Sequence, residues 1–371
     1  ERSLKNSRRE FIKAGAIGAA LAATGLPVTG HAVDSGAAAK QGLKLLILGG
    51  TGFIGPHMVR EALRRGHSVT LFNRGRTNAT LFPDLETIKG DRDGGLSSLQ
   101  GREWDAVIDN SGYVPRHVAD SAHLLAPNVG RYVFISSVSV YADFDVVNNE
   151  ESPLATIADE TVEEVTGETY GALKALCEQA AASEIGDDKL TVLRPTYICG
   201  PGDHTDRFVY WPLRARRAGR MLWPGTPQDI IQVIDVRDLA NFTIDGIERQ
   251  VHGVYNLVNP RGASTMGTLL RDCQAITARG GEAIWVDAAF LASQGVHGGV
   301  DLPIWFNSNP NIGFTADRAL RAGLHNRPVR ETARDLLAWW DSLPRQRTAK
   351  PRAGLSPMKE AEVIAAWRKR R

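Results

Sequence analysis

Tyr170 and Lys174 stand four residues apart in the stretch Thr169-Tyr170-Gly171-Ala172-Leu173-Lys174, so a helix carries both on one face. A tyrosine with its ordinary pKa of about 10 is a poor base at neutral pH. An ammonium alongside stabilises the phenolate and lowers that value. The phenolate can then take a proton from an alcohol, and the phenol can return one to a carbonyl. Upstream, Phe134-Ile135-Ser136-Ser137-Val138-Ser139-Val140-Tyr141 reads as a strand ending in hydroxyls. A serine there, Ser137 or Ser136, can hold the same substrate oxygen. Moving a proton on and off an alcohol in this way is half of a redox reaction, and the other half needs a hydride carrier.

The carrier's site is legible in Lys44-Leu45-Leu46-Ile47-Leu48-Gly49-Gly50-Thr51-Gly52-Phe53-Ile54-Gly55. An apolar strand runs into glycines at three-residue spacing, and a helical pattern with Met58, Val59, Ala62 and Leu63 follows. Gly49 permits the tight turn, Gly52 lets the backbone approach a pyrophosphate, and Gly55 lets the helix pack on the strand. Thr51, Phe53 and Ile54 fill the turn, whose N–H groups and positive helix end face the phosphates. A second strand, from His67 to Phe72, comes one βαβ unit later. At its end stands Asn73-Arg74-Gly75-Arg76 rather than the acidic residue that would bind both ribose hydroxyls of NAD. Arg74 and Arg76 suit a 2′-phosphate, which favours NADP over NAD, whereas Asn73 tolerates either. Asp91 can accept a bond from the adenine amino group. Ser111 and Gly112 are small enough for ribose and nicotinamide to lie close, and Lys174 can also bind the nicotinamide ribose.

These residues need a scaffold that brings strand ends together. The runs Leu45–Leu48, Val69–Phe72, Ala106–Ile108, Tyr132–Ile135 and Thr191–Leu193 are expected as parallel strands. Amphipathic segments such as Phe53–Arg64, His117–Leu125 and Tyr170–Ser183 separate them. The alternation predicts an α/β fold, a Rossmann-like doubly wound parallel sheet over residues 43–200, with ligands beyond the carboxyl ends of its strands. From about residue 201 to 345, recurrent Pro and Gly predict a smaller substrate lobe, with a return to the sheet near Ile230–Asp235. Val329–Ser342 reads as a last amphipathic helix, and residues 346–371 as a basic tail with a short helix from Ser356.

Hydrophobic content of 43% and charged content of 23% are those of an ordinary globule, and a net charge of +2 gives no reason to expect nucleic acid as a partner. Cys177, Cys199 and Cys273 are too far apart for metal spacing and read as small buried residues, and the nine histidines show no ligand pattern. No metal is expected. At the start, Ser7-Arg8-Arg9-Glu10-Phe11-Ile12-Lys13 precedes an Ala/Gly-rich apolar stretch ending near Gly30-His31-Ala32. That pattern resembles a twin-arginine export signal over residues 1–32, with a linker over 33–42, and implies the twin-arginine machinery as a partner and the periplasm as destination. The apolar stretch is too short for a membrane span. With Glu1 rather than Met at the start, further residues are expected upstream.

The glycine triplet, the Ser-Ser-x-x-Val-Tyr strand end, Tyr-x-x-x-Lys, Leu193-Arg194-Pro195 and Gly200-Pro201-Gly202 together resemble the extended short-chain dehydrogenase/reductase family, within it the NAD-dependent epimerase/dehydratase branch. The resemblance runs from about Leu43 to Trp340. It implies Tyr170, Lys174 and Ser137 as catalytic residues, Pro195 as part of the cofactor wall, and His204, Arg207 and Tyr210 as substrate candidates. Members acting on nucleotide-sugars usually grip the diphosphate with an arginine, where this chain is read to have Gln228. That departure and the export signal both point to a sugar, polyol or sugar acid without a nucleotide. Export also implies a cofactor that stays bound and is restored each turnover. Two other readings stay open: a non-catalytic scaffold of the same fold, as in RNA-associated chloroplast relatives, and a cytoplasmic NADPH-dependent reductase. A homodimer is compatible with the sequence.

Overall fold

A computed structural model describes residues 42–306 and 309–370. The export segment 1–32 and all of the linker but Gly42 lie outside the described residues. The strands are β1 (Lys44–Leu48), β2 (Ser68–Asn73), β3 (Thr87–Lys89), β4 (Trp104–Asp109), β5 (Val129–Ile135), β6 (Val147–Asn148), β7 (Leu190–Pro195), β8 (Tyr197–Cys199), β9 (Gly219–Pro224), β10 (Val233–Asp235), β11 (Gly253–Leu257), β12 (Gly281–Val286) and β13 (Gly313–Phe314). Seven of them form one sheet in the order β11-β7-β5-β4-β1-β2-β3, every pairing parallel. Each expected strand is there, longer by a residue or more. The order reverses between β1 and β4, so the crevice that takes a ligand opens where the glycine turn leaves β1.

Both faces of the sheet are buried, which is why its strands read as continuous apolar runs rather than alternating ones. Leu45 and Ile47 pack with Met58 and Val59 of helix Gly55–Arg64 and Phe242 of helix Val236–Glu248. Leu46 and Leu48 turn the other way, into a core with Val118 of helix Pro115–Leu125 and Cys177 of helix Tyr170–Ile185. All three cysteines are buried, as their spacing suggested. A third core, centred on Trp211, Trp223 and Trp305, belongs to the later part of the chain.

One expectation needs correction. The return to the main sheet is not at Ile230–Asp235; there β10 pairs with β8 in a separate ribbon. The chain instead rejoins at β11 beside β7. Helix Val236–Glu248 makes the crossover, and Gly253-Val254-Tyr255-Asn256-Leu257 is too mixed in polarity to announce a buried strand. The basic C-terminal segment carries its helix where expected, after Ser356, and packs it against the body of the protein. Ser356 caps helix Pro357–Lys369, its Oγ accepting from the N–H of Lys359 at 3.2 Å. Glu360 of that helix, 4% exposed, binds Arg214 and Arg217 and accepts from the N–H of Leu222 at 3.0 Å. Ahead of it, Arg347 grips the fully buried Asp206 with both terminal nitrogens, at 2.9 and 2.5 Å, and the Arg352 N–H donates to Asp206 at 2.9 Å. The end of the chain thus straps down the loop that follows Gly200.

Removing one partner of a buried ion pair leaves the other charge without compensation, at about 3–5 kcal/mol. We expect Glu360→Ala, which takes the carboxylate from Arg214, to lower the unfolding free energy by that amount, read as a lower urea midpoint at unchanged slope; an unchanged midpoint would mean that the last helix does not hold the lobe.

Candidate active site

The glycine turn has the geometry that its spacing predicts. Gly49 has φ +89°, and a Cβ there would come within 2.6 Å of Asn110 Oδ1. A Cβ on Gly55 would meet the carbonyl oxygen of Gly49 at 2.6 Å, so helix and strand approach through bare backbone. A Cβ on Gly52 would meet nothing within 4 Å, so that side of its backbone is open to a ligand. No side chain caps the helix at Ile54, and Pro56 occupies its first turn. The Thr51 carbonyl accepts from Asn78 Nδ2 at 3.0 Å, fixing the far side of the turn. Half-buried Phe53 stands edge-on to His57 at 6.4 Å and to His204 at 6.3 Å between ring centres. The imidazole of His57 donates to the Pro201 carbonyl at 2.8 Å. Turn and post-Gly200 loop therefore form one wall.

Past β2, Asn73 Oδ1 accepts from the Gly75 N–H at 2.8 Å, while its buried Nδ2 has no partner. Arg74 and Arg76 are exposed. Asp91 binds the N–H of Asp93 at 3.3 Å in the loop after β3. Its neighbour Arg92, which no motif singles out, is buried: it pairs with Asp109 at 2.5 and 2.8 Å, and Tyr132 donates to the same carboxylate at 2.9 Å. That carboxylate also accepts from the Ser111 N–H at 3.2 Å and so sets the backbone after β4. Ser111 Oγ donates to the Leu48 carbonyl at 3.2 Å. Two residues in this segment escaped the sequence reading. Asn110 has a buried, unpartnered Nδ2, and Tyr113, 48% exposed, has its ring centre 6.4 Å from that of Tyr170.

A dinucleotide fits this crevice. Open backbone at Gly52, an uncapped helix start, and unpaired amide nitrogens on Asn73 and Asn110 are donors awaiting an acceptor-rich ligand. Among the described residues no group of His, Cys, Asp and Glu is placed to hold a metal.

Tyr170 opens its helix beside the end of β5, and the Ser137 hydroxyl lies close enough to its phenol to favour the phenolate. Ser137 is also tied to Ser139, accepting from its N–H at 3.1 Å. Ser136, the alternative, is committed elsewhere: it donates to buried Glu178. Glu178 in turn pairs with Arg194 at 2.6 Å, and Arg194 donates to Tyr141 at 3.2 Å. This network, hinted at only by Leu193-Arg194-Pro195, pins the serine-bearing strand end to β7, where Pro195 is buried.

Lys174 stands one turn further along the same helix. Its ammonium, 2% exposed, donates to the carbonyls of Gly112 and Ile135, both at 2.7 Å, and lies 4.1 Å above the Phe134 ring. Burial pulls its pKa down to about 8. Burial also raises the Tyr170 pKa, opposed by the Ser137 bond and by the positive charge of Arg207. The pair is therefore a neutral phenol beside a lysine that locks two strand ends. Arg207 lies 4.6 Å over the Tyr197 ring and donates to Thr205 at 3.0 Å. Tyr210 is different: only 5% exposed, it packs edge-on to Trp211 and beneath Gly354. It is a core residue rather than a substrate contact, because the C-terminal strap covers it.

The sequence matches the model of the NAD-dependent epimerase/dehydratase family over residues 45–94 and 100–257. It is 28% identical over 233 residues to a chloroplast stem-loop binding protein of Arabidopsis thaliana, covering 58% of each chain. It is also 28% identical over 225 residues to the 2-alkyl-3-oxoalkanoate reductase of Stenotrophomonas maltophilia, covering 54% of this chain and 64% of that one. The chain spans less than two thirds of either relative. Among solved structures the fold is similar to Bordetella bronchiseptica WbmG in complex with NAD and UDP, with TM-score 0.59 and 14% identity over 85% of this chain and 98% of that one. A UDP-glucose 4-epimerase matches with TM-score 0.56 and 16% identity over 84% and 99%. With the family model covering more than half of its length, and the glycine crevice and Tyr170–Lys174 helix inside the matched region, the chain belongs to the NAD-dependent epimerase/dehydratase family.

Proposed function

We propose that this protein is an exported NAD(P)-dependent epimerase or oxidoreductase acting on an alcohol or ketone of a sugar, polyol or sugar acid. One observation carries the reading: the Ser137–Tyr170 pair stands at the strand ends that Lys174 locks beside the glycine crevice. The twin-arginine-like pattern of residues 1–32 supports export. Exposed Arg74 and Arg76, with no carboxylate at the end of β2, support NADP. The bound nicotinamide would supply the hydride acceptor and donor. The residues that would hold it are Gly49, Gly52, Gly55, Asn73, Asn110, Ser111 and Gly112.

The chain's own part is proton handling. In the oxidising direction the Tyr170 phenol first gives its own proton to solvent, and the phenolate so formed takes the proton of the substrate alcohol while Ser137 holds the same oxygen. Arg207 offsets the phenolate charge, and Lys174 keeps the strand ends at fixed separation and would hold the ribose with the N–H that its two carbonyl partners leave over. In the reducing direction the neutral phenol is already the proton donor. Outside the cytoplasm no pool renews a spent nucleotide, which favours a reaction that leaves it unchanged over a full cycle.

The Arabidopsis relative's name supports a second reading, a stem-loop-binding scaffold. Tyr170→Phe separates the two. We expect turnover to fall about 10²–10⁴-fold, the contribution of a positioned acid–base group, with nucleotide still extractable from the purified protein. Stem-loop RNA binding equal in both proteins, with no turnover even in the unsubstituted one, would favour the scaffold. Arg74→Ala with Arg76→Ala should weaken NADP at least tenfold, about 1.4 kcal/mol, and leave NAD unaffected; equal losses for both would remove the NADP preference. Lys174 is protonated below pH about 8 and loses its charge above it. Nucleotide affinity measured by titration calorimetry should therefore fall as pH rises through about 8, and Lys174→Met should bind weakly with no such step.

A further inference from the structure

Beyond the carboxyl ends of β5 and β7 lies a cavity that the proton chemistry does not use. Phe144, Val146, Ile230, Ile304, Ile312 and Phe314 line it. It adjoins the reaction site along the chain on two sides: Thr196 in its wall follows Pro195 at the end of β7, and Phe144 follows the Ser137–Tyr141 segment. Tyr141 stacks on Phe314 at 5.9 Å between ring centres, so the wall is braced from the serine side.

The polar side chains in the lining are already engaged. Gln232 Nε2 donates to the carbonyls of Asn259 and Phe314, at 3.0 and 2.9 Å, and its Oε1 accepts from the Phe314 N–H at 2.8 Å. Thr196 Oγ1 donates to the Gln232 carbonyl at 3.3 Å, and Asn148 Nδ2 to the Asp143 carbonyl at 2.7 Å. Asn309 at the rim is engaged too. Among the described lining residues there is no Lys, Arg or His. A hydroxyl or phosphate entering here gives up its water and finds little in exchange, at a cost of about 1–3 kcal/mol per unsatisfied group. An alkyl or aryl group gains from the same move, by roughly 0.8 kcal/mol per methylene. Apolar walls with few free polar groups are what a hydrophobic ligand segment requires.

We propose that this cavity binds an apolar substituent, alkyl or aryl, carried on the skeleton that bears the reacting oxygen, and that it excludes a nucleoside diphosphate. The inference rests on the reading of Tyr170 as the reaction site, and it narrows the substrate class. The polar end of the substrate faces Tyr170, Ser137 and Arg207, while the apolar end lies against Phe144 and Ile312. Two sources share this chemistry, a glycoside with an apolar aglycone and a non-sugar alcohol with an alkyl chain.

The test uses the full-length protein with the neutral fluorescent probe N-phenyl-1-naphthylamine. Hexyl β-glucoside or 2-octanol should displace the probe at concentrations at least tenfold lower than methyl β-glucoside, and UDP-glucose should not displace it. Displacement by hexyl β-glucoside assigns the aglycone and by 2-octanol alone the simple chain. Val146 is 43% exposed and Ile312 half-buried, so Val146→Asp and Ile312→Asp can fold. Each should weaken the probe at least tenfold and leave nucleotide binding unchanged. Equal displacement by methyl β-glucoside, displacement by UDP-glucose, or unaltered probe binding in both variants overturns the proposal. Turnover that is lost in Tyr170→Phe alongside such a result leaves the reaction site standing and removes only the apolar cavity. Probe selectivity as expected with turnover indifferent to Tyr170 does the reverse.

Discussion

The two hydrogen bonds from the Lys174 ammonium to the carbonyls of Gly112 and Ile135 hold this site together. They join three pieces far apart in sequence: the loop after β4, the end of β5 and helix Tyr170–Ile185. A buried cation satisfied by backbone carbonyls and an aromatic face tolerates little displacement, since any shift leaves a charge without partners in a low-dielectric interior. Tyr170 sits one turn earlier on the same helix, so the same lock sets where the phenol meets Ser137.

Two buried arginines extend this constraint to either side. Arg92 on Asp109 orders the backbone that carries Asn110 and Ser111; Arg194 on Glu178 ties the serine-bearing strand end to β7. Neither arginine faces a ligand. Both consume charge to make carbonyls and amides point in set directions, so that donors on the crevice floor are already oriented when an acceptor arrives. The C-terminal strap acts similarly from outside, through Arg347 on Asp206, upon the loop carrying His204 and Arg207. Tyr197, under the Arg207 guanidinium, links that loop to the apolar cavity through its contact with Phe306 at 5.7 Å between ring centres.

Polarity then divides the space beyond the sheet. On one side stand a phenol, a serine hydroxyl, a guanidinium and unpaired amides; on the other are phenylalanines and isoleucines whose polar neighbours are turned to the backbone. A molecule that satisfies both halves needs an oxygenated end and an apolar end.

Much of the scaffold was legible because it rests on local rules. A strand buried on both faces must be apolar, the turn after β1 needs glycines where Cβ atoms would strike backbone, and i,i+4 spacing puts Tyr170 and Lys174 on one helical face. What the sequence could not determine was which partner each buried charge finds. Lys174 is spent on carbonyls rather than on the phenol, Arg92 and Arg194 serve the interior, and Tyr210 lies beneath a strap formed more than a hundred residues later. β11 likewise finds its place only beside β7, and the apolar cavity arises only when segments near 145, 230 and 310 converge. Pairings of this kind are set by long-range packing and desolvation, quantities that have no local signature, so the tertiary structure alone decided them.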